Sequence, residues 1–154
     1  MATISLHPAT PDDARELAGS MREQDAREVR ATGYEPEAAL LTSMRVSAEA
    51  WTVRCDDVIM CMWGVVDIDL LDGVATPWLL TSPLVERHQK TFVKLAIKTV
   101  NELRLRYRLL VNTVDARHVM AVRWLRRMGF ELGDCPAAAG VHGEKFYQIN
   151  IKGL

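Results

Sequence analysis

The apolar residues of this chain change their spacing several times. A weak alternation over residues 2–7, ATISLH, predicts a short strand. Thr10-Pro11-Asp12-Asp13 then reads as a helix start. Threonine caps free N–H groups, proline suits the first helical position, and the two aspartates favour the positive end of the helix. This helix is expected to reach about Met21, and a second piece to cover Glu23 to Ala31, where Thr32-Gly33 breaks it. A third helix is expected from near Glu35-Pro36, with Ala39, Leu40 and Met44 on one face.

Strand spacing takes over at Trp51. WTVRC alternates, and Asp56-Asp57 turns the chain. VIMCMWGVVDIDL is apolar enough for a central strand covered on both faces. Leu71-Asp72-Gly73 is a second turn, since Asp-Gly is a strong hairpin signal. ATPWLLTS is the next strand, with Pro77 near its start, where a missing N–H costs least. These three strands form an antiparallel meander. One long helix is expected from about Leu84 to Tyr107, turning Phe92, Leu95, Ala96, Thr99, Val100, Leu103 and Tyr107 toward the sheet. RLLVNTV is a short buried strand, and Asp115 is placed to cap the next helix. Ala121, Trp124, Leu125 and Met128 make the core stripe of that helix, which stops at Gly129. FELGDC and KFYQINI close the chain as strands around a small-residue loop, PAAAGVHGE.

The strand–helix–strand order implies a right-handed crossover. It therefore predicts that segments 78–83 and 109–114 are parallel neighbours that splay at their ends. Gly129 is expected at positive φ, because a helix stop feeding a strand needs a left-handed residue, and Phe130 is expected to be buried.

Composition narrows the function classes. At 154 residues, 49% apolar and 25% charged, the chain fits one domain, taken as 1–154. A net charge of −1 gives no global field, so bulk attraction to nucleic acid or to an anionic membrane is not expected. No apolar run approaches the roughly 20 residues of a membrane span, and MATISLHPAT does not resemble a secretory signal. Cys55, Cys61 and Cys135 lack a metal-ligand spacing and read as reduced thiols. A zinc site would require His118 or His142 to converge on them, so no metal is expected.

The order of elements, and above all VNTVDARHVMAVRWLRRMGFE over residues 111–131, resembles the GNAT (acetyltransferase-like) superfamily. Gly129 and Phe130 match its helix ending, and Ala121 matches a small residue on that helix. The resemblance spans roughly residues 50–151. It implies an α/β (α+β) fold with a central, mixed but mostly antiparallel sheet flanked by helices. It also implies an acetyl-CoA seat at the start of the long helix, where backbone N–H groups and the helix dipole hold the pyrophosphate. The residues at that seat are Leu80, Thr81, Arg87, His88, Gln89, Lys90 and Thr91. Arg87 fits the first position of the family's R/Q-x-x-G-x-G/A pattern, but Lys90 and Phe92 replace its small residues and would crowd the phosphates. Leu125 stands where many members carry the tyrosine that protonates the leaving thiolate, so no catalytic residue is assigned. His118 corresponds to an asparagine often found there and reads as an exposed helix residue or an acid–base group.

A narrower resemblance runs through MREQDAREVRATGYEPEAAL, TPWLLTSP, RWLRRMGF and KFYQINI. These strings are similar to the internal virion protein A-like family of short-tailed bacteriophages. That implies a virion-associated protein in the virion or host cytoplasm, with other phage proteins as partners. The remaining candidates have plain structural readings. Glu86 reads as a helix flank or a base, and Asp67 and Asp69 as a solvated strand face or a cleft wall. Arg22, Asp25 and Glu28, at i, i+3 and i+6, read as pairs across helix turns or as a partner surface. Arg117, Arg123, Arg126 and Arg127 make one basic helix without a helix-turn-helix partner. Three functions follow: a phage structural protein without acetyl transfer, an acetyl-CoA-dependent N-acetyltransferase, or a binding module with a repurposed cleft.

Overall fold

A computed structural model describes residues 2–154. The chain opens with strand β1 (Ile4–Pro8) and three helices, α1 (Pro11–Ser20), α2 (Glu23–Ala31) and α3 (Pro36–Val46). The meander follows as β2 (Glu49–Cys55), β3 (Val58–Asp69) and β4 (Val74–Thr81). Next come α4 (Leu84–Arg87), α5 (Gln89–Arg106), β5 (Leu109–Asp115) and α6 (Val119–Met128). Short strands β6 (Glu131–Leu132) and β7 (Ala137–Ala138) precede the long β8 (Lys145–Lys152).

The strands form one sheet in the order β1-β2-β3-β4-β5-β8-β6, with β7 also on β8. Every pairing is antiparallel except β4–β5, which is parallel. The main core lies under α5 and α6 and includes Met60, Val65, Phe92, Leu103, Leu110 and Trp124. A smaller core on the other face joins Ala14 and Leu17 of α1 and Leu40 of α3 to Ile59 and Met62 of β3. Helices thus cover both faces of β3, as its continuous apolar run requires.

The start of α1 shows how local chemistry ties into the sheet. The Asp13 N–H donates to Thr10 Oγ1 at 3.2 Å and the Thr10 N–H donates to Asp13 Oδ2 at 3.0 Å, a reciprocal cap. The same buried carboxylate accepts from Thr52 Oγ1 and from Arg54 Nη2, both at 2.9 Å, fixing α1 against β2. Burial opposes ionisation of Asp13, but these donors together hold its carboxyl below the ordinary value.

Several elements differ from the sequence expectation. The long helix is broken at His88 (φ −126°, ψ 40°), so α4 is a separate turn. Val93 is buried while Leu95 is 36% exposed, a small rotation of the expected face of α5. α6 begins at Val119 with His118 as its cap, so Asp115 ends β5 and bonds Arg117 instead. FELGDC is a strand only over Glu131–Leu132; the Gly133 N–H still reaches the Gln148 carbonyl at 2.8 Å, and the chain then bends at Asp134–Cys135 before β7 returns to β8. Gly129 has φ +102° and Phe130 is buried, as the helix stop requires.

Candidate functional site

Strands β4 and β5 pair only at Val74–Leu109 and Ala75–Leu110, and then diverge. Proline explains where. The Pro77 carbonyl accepts from Asn112 Nδ2 at 2.7 Å, so that carbonyl points toward β5. The N and C=O of one strand residue face the same neighbour. The N–H that the parallel ladder needs next is therefore the one proline lacks. The two strands are parallel neighbours as expected, but the ladder joins Val74 and Ala75, ahead of segment 78–83, to Leu109 and Leu110, and segments 78–81 and 112–115 form the splay.

Helix α2 lies across the open end. The Thr81 N–H and Oγ1–H donate to Asp25 Oδ2 at 2.7 and 2.6 Å, and the Arg22 N–H donates to the Thr81 carbonyl at 2.8 Å. On the β5 side, the Asp115 N–H donates to Glu28 Oε1 at 3.1 Å. The edge groups of both strand ends are thus bonded by one face of α2. Arg22 and Asp25 do approach across the helix turn, Nη2 to Oδ1 at 3.7 Å, but the row is not solvated. Arg22 and Asp25 are buried and Glu28 is half-buried, because the helix packs this face against the sheet.

His118 completes the cluster and is buried, not exposed, because the cap position turns its ring inward. Its Nε2 lies 2.6 Å from Asp25 Oδ1, and its Nδ1 accepts from the Ala121 N–H at 3.4 Å. An Nε2–H tautomer suits these two contacts, and Arg22 Nη2 also lies 3.1 Å from Nε2. The Arg22 guanidinium, 2% exposed, sits 5.1 Å over the Trp124 ring. Its Nη1 donates to Met120 Sδ at 2.9 Å, and its nearest carboxylate oxygens are on Glu86 at 3.5 Å and Asp25 at 3.7 Å. Among the described residues, its Nε has no hydrogen-bond partner. Arg22 therefore stands between α4 and α6, where it meets the tilted Phe92–Trp124 pair, centroids 4.8 Å apart.

A mostly apolar cavity of about 510 Å³ runs through the splay, with α2 in its lining. Leu79, Ala121, Leu125 and Phe92 line its α5–α6 side, and Trp78, Tyr34, Thr42 and Ser43 its α2–α3 side. Glu28, Asp25, His118 and Asn112 are among its polar groups. Burial pushes the Glu28 carboxyl up to about 7, against the opposing N–H of Asp115. A carboxyl poised there is suited to take a proton from a bound group near neutral pH.

Of the residues expected at a cofactor seat, Leu80 and Thr81 line this cavity. Arg87, His88, Gln89, Lys90 and Thr91 lie outside its lining, at the end of α4 and in the first turn of α5. Phe92 does not crowd a phosphate approach from outside, since its ring is buried in the core. The α4 turn consumes amides that a glycine-rich loop would leave free: Val85 N–H donates to Ser82, Glu86 N–H to Pro83 and His88 N–H to Val85. Leu125 is an apolar wall, and the Tyr107 hydroxyl is elsewhere, donating to Asp67 at 2.6 Å. Among the described residues, no cluster of His, Cys, Asp and Glu is arranged to hold a metal. Among the same residues, no helix is long and apolar enough to cross a membrane. Sequence reading missed the roles of Arg22, Asp25 and Glu28 at the splay. Their i, i+3, i+6 spacing was the available signal, but it does not distinguish a solvated face from a buried one.

These features, a parallel pair splayed inside an otherwise antiparallel sheet with a helix crossover between them, define a GNAT-type acetyltransferase fold. The solved structures agree. A spermidine N-acetyltransferase from Vibrio cholerae, in complex with CoA and spermine, matches with a TM-score of 0.70, 13% identity, and 97% of this chain and 95% of that chain covered. An aminoglycoside N(6')acetyltransferase from Legionella pneumophila gives 0.73 at 12% identity, covering 97% and 91%. A phosphinothricin acetyltransferase from Sinorhizobium meliloti, in complex with AcCoA, gives 0.71 at 17%, covering 97% and 88%. At such identities the likeness is one of fold. No family model matches the chain, and no curated protein matches it.

Proposed function

We propose that this chain is a virion-associated protein of a short-tailed bacteriophage that uses a GNAT-type scaffold as a structural body, without acetyl transfer. Its partners are other phage proteins, and its place is the virion or the host cytoplasm. The observation that carries the loss of transfer is the closure of the splay by α2. Where the resemblance implies an acetyl-CoA arm, Asp25 and the Arg22 backbone already bond the end of β4. Leu125 offers no proton to a leaving thiolate, and the α5 start lacks glycines. The phage assignment rests on the strings MREQDAREVRATGYEPEAAL, TPWLLTSP and KFYQINI.

Two measurements test this. Calorimetry with acetyl-CoA, paired with thiol release over a peptide and polyamine panel, should show neither tight binding nor acceptor-dependent release. A Kd below about 10 μM, roughly −7 kcal/mol, with acceptor-dependent release, overturns the structural reading. Mass spectrometry of purified particles of the encoding phage should find the chain at stoichiometric level, and its absence overturns the virion role. One observation favours a second reading, an acetyl-CoA-dependent N-acetyltransferase. Glu28, with its carboxyl near 7 in the cavity lining, is placed to deprotonate an amine bound there. In that case acetyl-CoA at about 100 times its Kd stabilises the protein by roughly 2.7 kcal/mol.

A further inference from the structure

We propose that the outer face of α5 and α6 is a docking surface for the phosphate backbone of duplex DNA, held by Lys94, Lys98, Arg123, Arg126 and Arg127. The proposal goes beyond the functional reading above and does not depend on whether acetyl transfer is lost. The net charge of −1 conceals a separation of charge. Residues 84–130 hold eleven lysines and arginines against three acids, whereas residues 1–57 hold eleven acids against six arginines. Helices α5 and α6 cover one face of the sheet and α1 and α3 the other, so the fold keeps the two sets apart. Such a separation steers a polyanion toward one face of the molecule.

Within the basic half, the charges converge on one surface. At about 3.6 residues per turn, Lys94 and Lys98 lie opposite Phe92, Ala96, Val100 and Leu103, which face the core. Arg123, Arg126 and Arg127 likewise lie opposite Ala121, Trp124 and Met128. All five basic residues are exposed. The Phe92 and Trp124 rings, 4.8 Å apart, join the two helices beneath them. Helix α6 carries no acid, and α5 carries only Glu102. Among the described residues none of the five forms an ion pair, whereas Arg15, Arg54, Arg106 and Arg117 each do. Lys90 continues the α5 row into its first turn, where the implied cofactor seat lies, so the surface proper begins at Lys94.

Charge and shape select the occupant. Cations one turn apart, about 6 Å along each helix axis, in two neighbouring rows suit a dense anionic array. Duplex DNA carries one negative charge per about 1.7 Å of its axis. Phe92 and Trp124, the aromatic residues of α5 and α6, are buried, so no ring is offered to stack an unpaired base. A helix that lies on a membrane needs an apolar face for lipid, and here the apolar faces of both helices are taken by the core. Lysine and arginine are donors without an acceptor, which suits phosphate rather than the donor-and-acceptor 2′-hydroxyl that marks RNA.

Fluorescence anisotropy with a short labelled DNA duplex of mixed sequence tests this. The parent should bind with a Kd of about 10⁻⁴ to 10⁻⁶ M, and log K should fall by about 0.9 per phosphate contact for each tenfold rise in salt. Charge reversal at Lys94→Glu with Lys98→Glu, or at Arg123→Glu with Arg126→Glu, should weaken binding about tenfold or more and reduce the salt slope by roughly 2. Arg45→Glu with Lys152→Glu changes the net charge equally from exposed positions on α3 and on the opposite face of β8, and should change affinity by less than about threefold. Equal losses for the two kinds of pair overturn the proposal, since binding then follows total charge. A parent that does not bind the duplex in about 50 mM salt overturns it too, as does tighter binding to phosphatidylserine vesicles than to DNA. An RNA duplex of equal length bound about tenfold more tightly overturns the choice of DNA. If circular dichroism shows that a reversed pair fails to fold, Lys94→Gln with Lys98→Gln removes the same two contacts without repulsion. An unchanged salt slope in that variant overturns the proposal.

Discussion

Replacing Gly129 by alanine isolates the turn that joins α6 to the last strands. Gly129 has φ +102° and ψ 4°, and its N–H donates back to the Arg126 carbonyl at 3.1 Å. The next amide, Phe130 N–H, reaches the Leu125 carbonyl at 3.0 Å. An L-residue in the left-handed region costs about 1–2 kcal/mol. A Cβ here also meets Ile151 Cδ1 at 3.1 Å, closer than ordinary contact, and Ile151 is buried. Moving that methyl within a packed core adds about 1–2 kcal/mol. The expected loss is about 2–4 kcal/mol, or roughly 5–15 °C in Tm for a chain of this size. Urea denaturation and a thermal scan measure it, with Gly19→Ala as the matched control. Gly19 lies in α1, has no neighbour within 4 Å of its Cβ position and does not need positive φ. The same substitution there should stabilise by up to about 1 kcal/mol. Equal shifts at the two glycines, or no loss at Gly129, would refute the reasoning from backbone conformation.

Three further outcomes follow from the site and the core. Glu28 has a folded value of about 7 against an ordinary 4.5 because burial disfavours its charge. The native state therefore binds more protons than the unfolded chain between those values, and stability falls as pH rises through that window. Glu28→Gln should stabilise by about 1–3 kcal/mol at pH 8 and by little at pH 4.5, discounted for a half-buried group; equal effects at both pH values contradict the assignment. Asp25→Ala strands the Thr81 N–H, the Thr81 hydroxyl and His118 Nε2. It should cost about 3–5 kcal/mol in urea, and a loss below about 1 kcal/mol would show that water replaces the carboxylate. Phe130→Ala should cost about 3–5 kcal/mol, and an unchanged denaturant midpoint rules out its place in the core.

How much was legible depended on whether a signal was local. The Thr10 cap, the Asp-Gly turn at Gly73 and the Gly129 stop are written in adjacent residues, and the structure shows each of them. The strand–helix–strand order gave the parallel pair through handedness alone. The site was less readable, because its members come from distant segments. His118 joins Asp25 across 93 positions and Thr81 joins it across 56. A charged residue on a short polar helix reads as solvated until its partners are known. The break at His88 was also invisible, since nothing in Leu84–Tyr107 interrupts the apolar spacing there.

The splay itself poses a structural problem whose solution bears on function. A β4 edge released from β5 after Pro77 leaves backbone N–H and C=O groups facing a gap, and buried groups of that kind need partners. A ligand laid along the strand is one way to satisfy them. In this chain Asp25 and the Arg22 amide satisfy both groups of Thr81 from within, and Glu28 does the same for the amide of Asp115. By the alternation of the strand, Leu79 is then the gap-facing β4 residue left over the cavity. The fold accordingly does not depend on a bound cofactor to complete its sheet. A ligand that needed the Thr81 or Asp115 backbone groups would first have to displace α2 from bonds it already makes, which raises the affinity such a ligand needs.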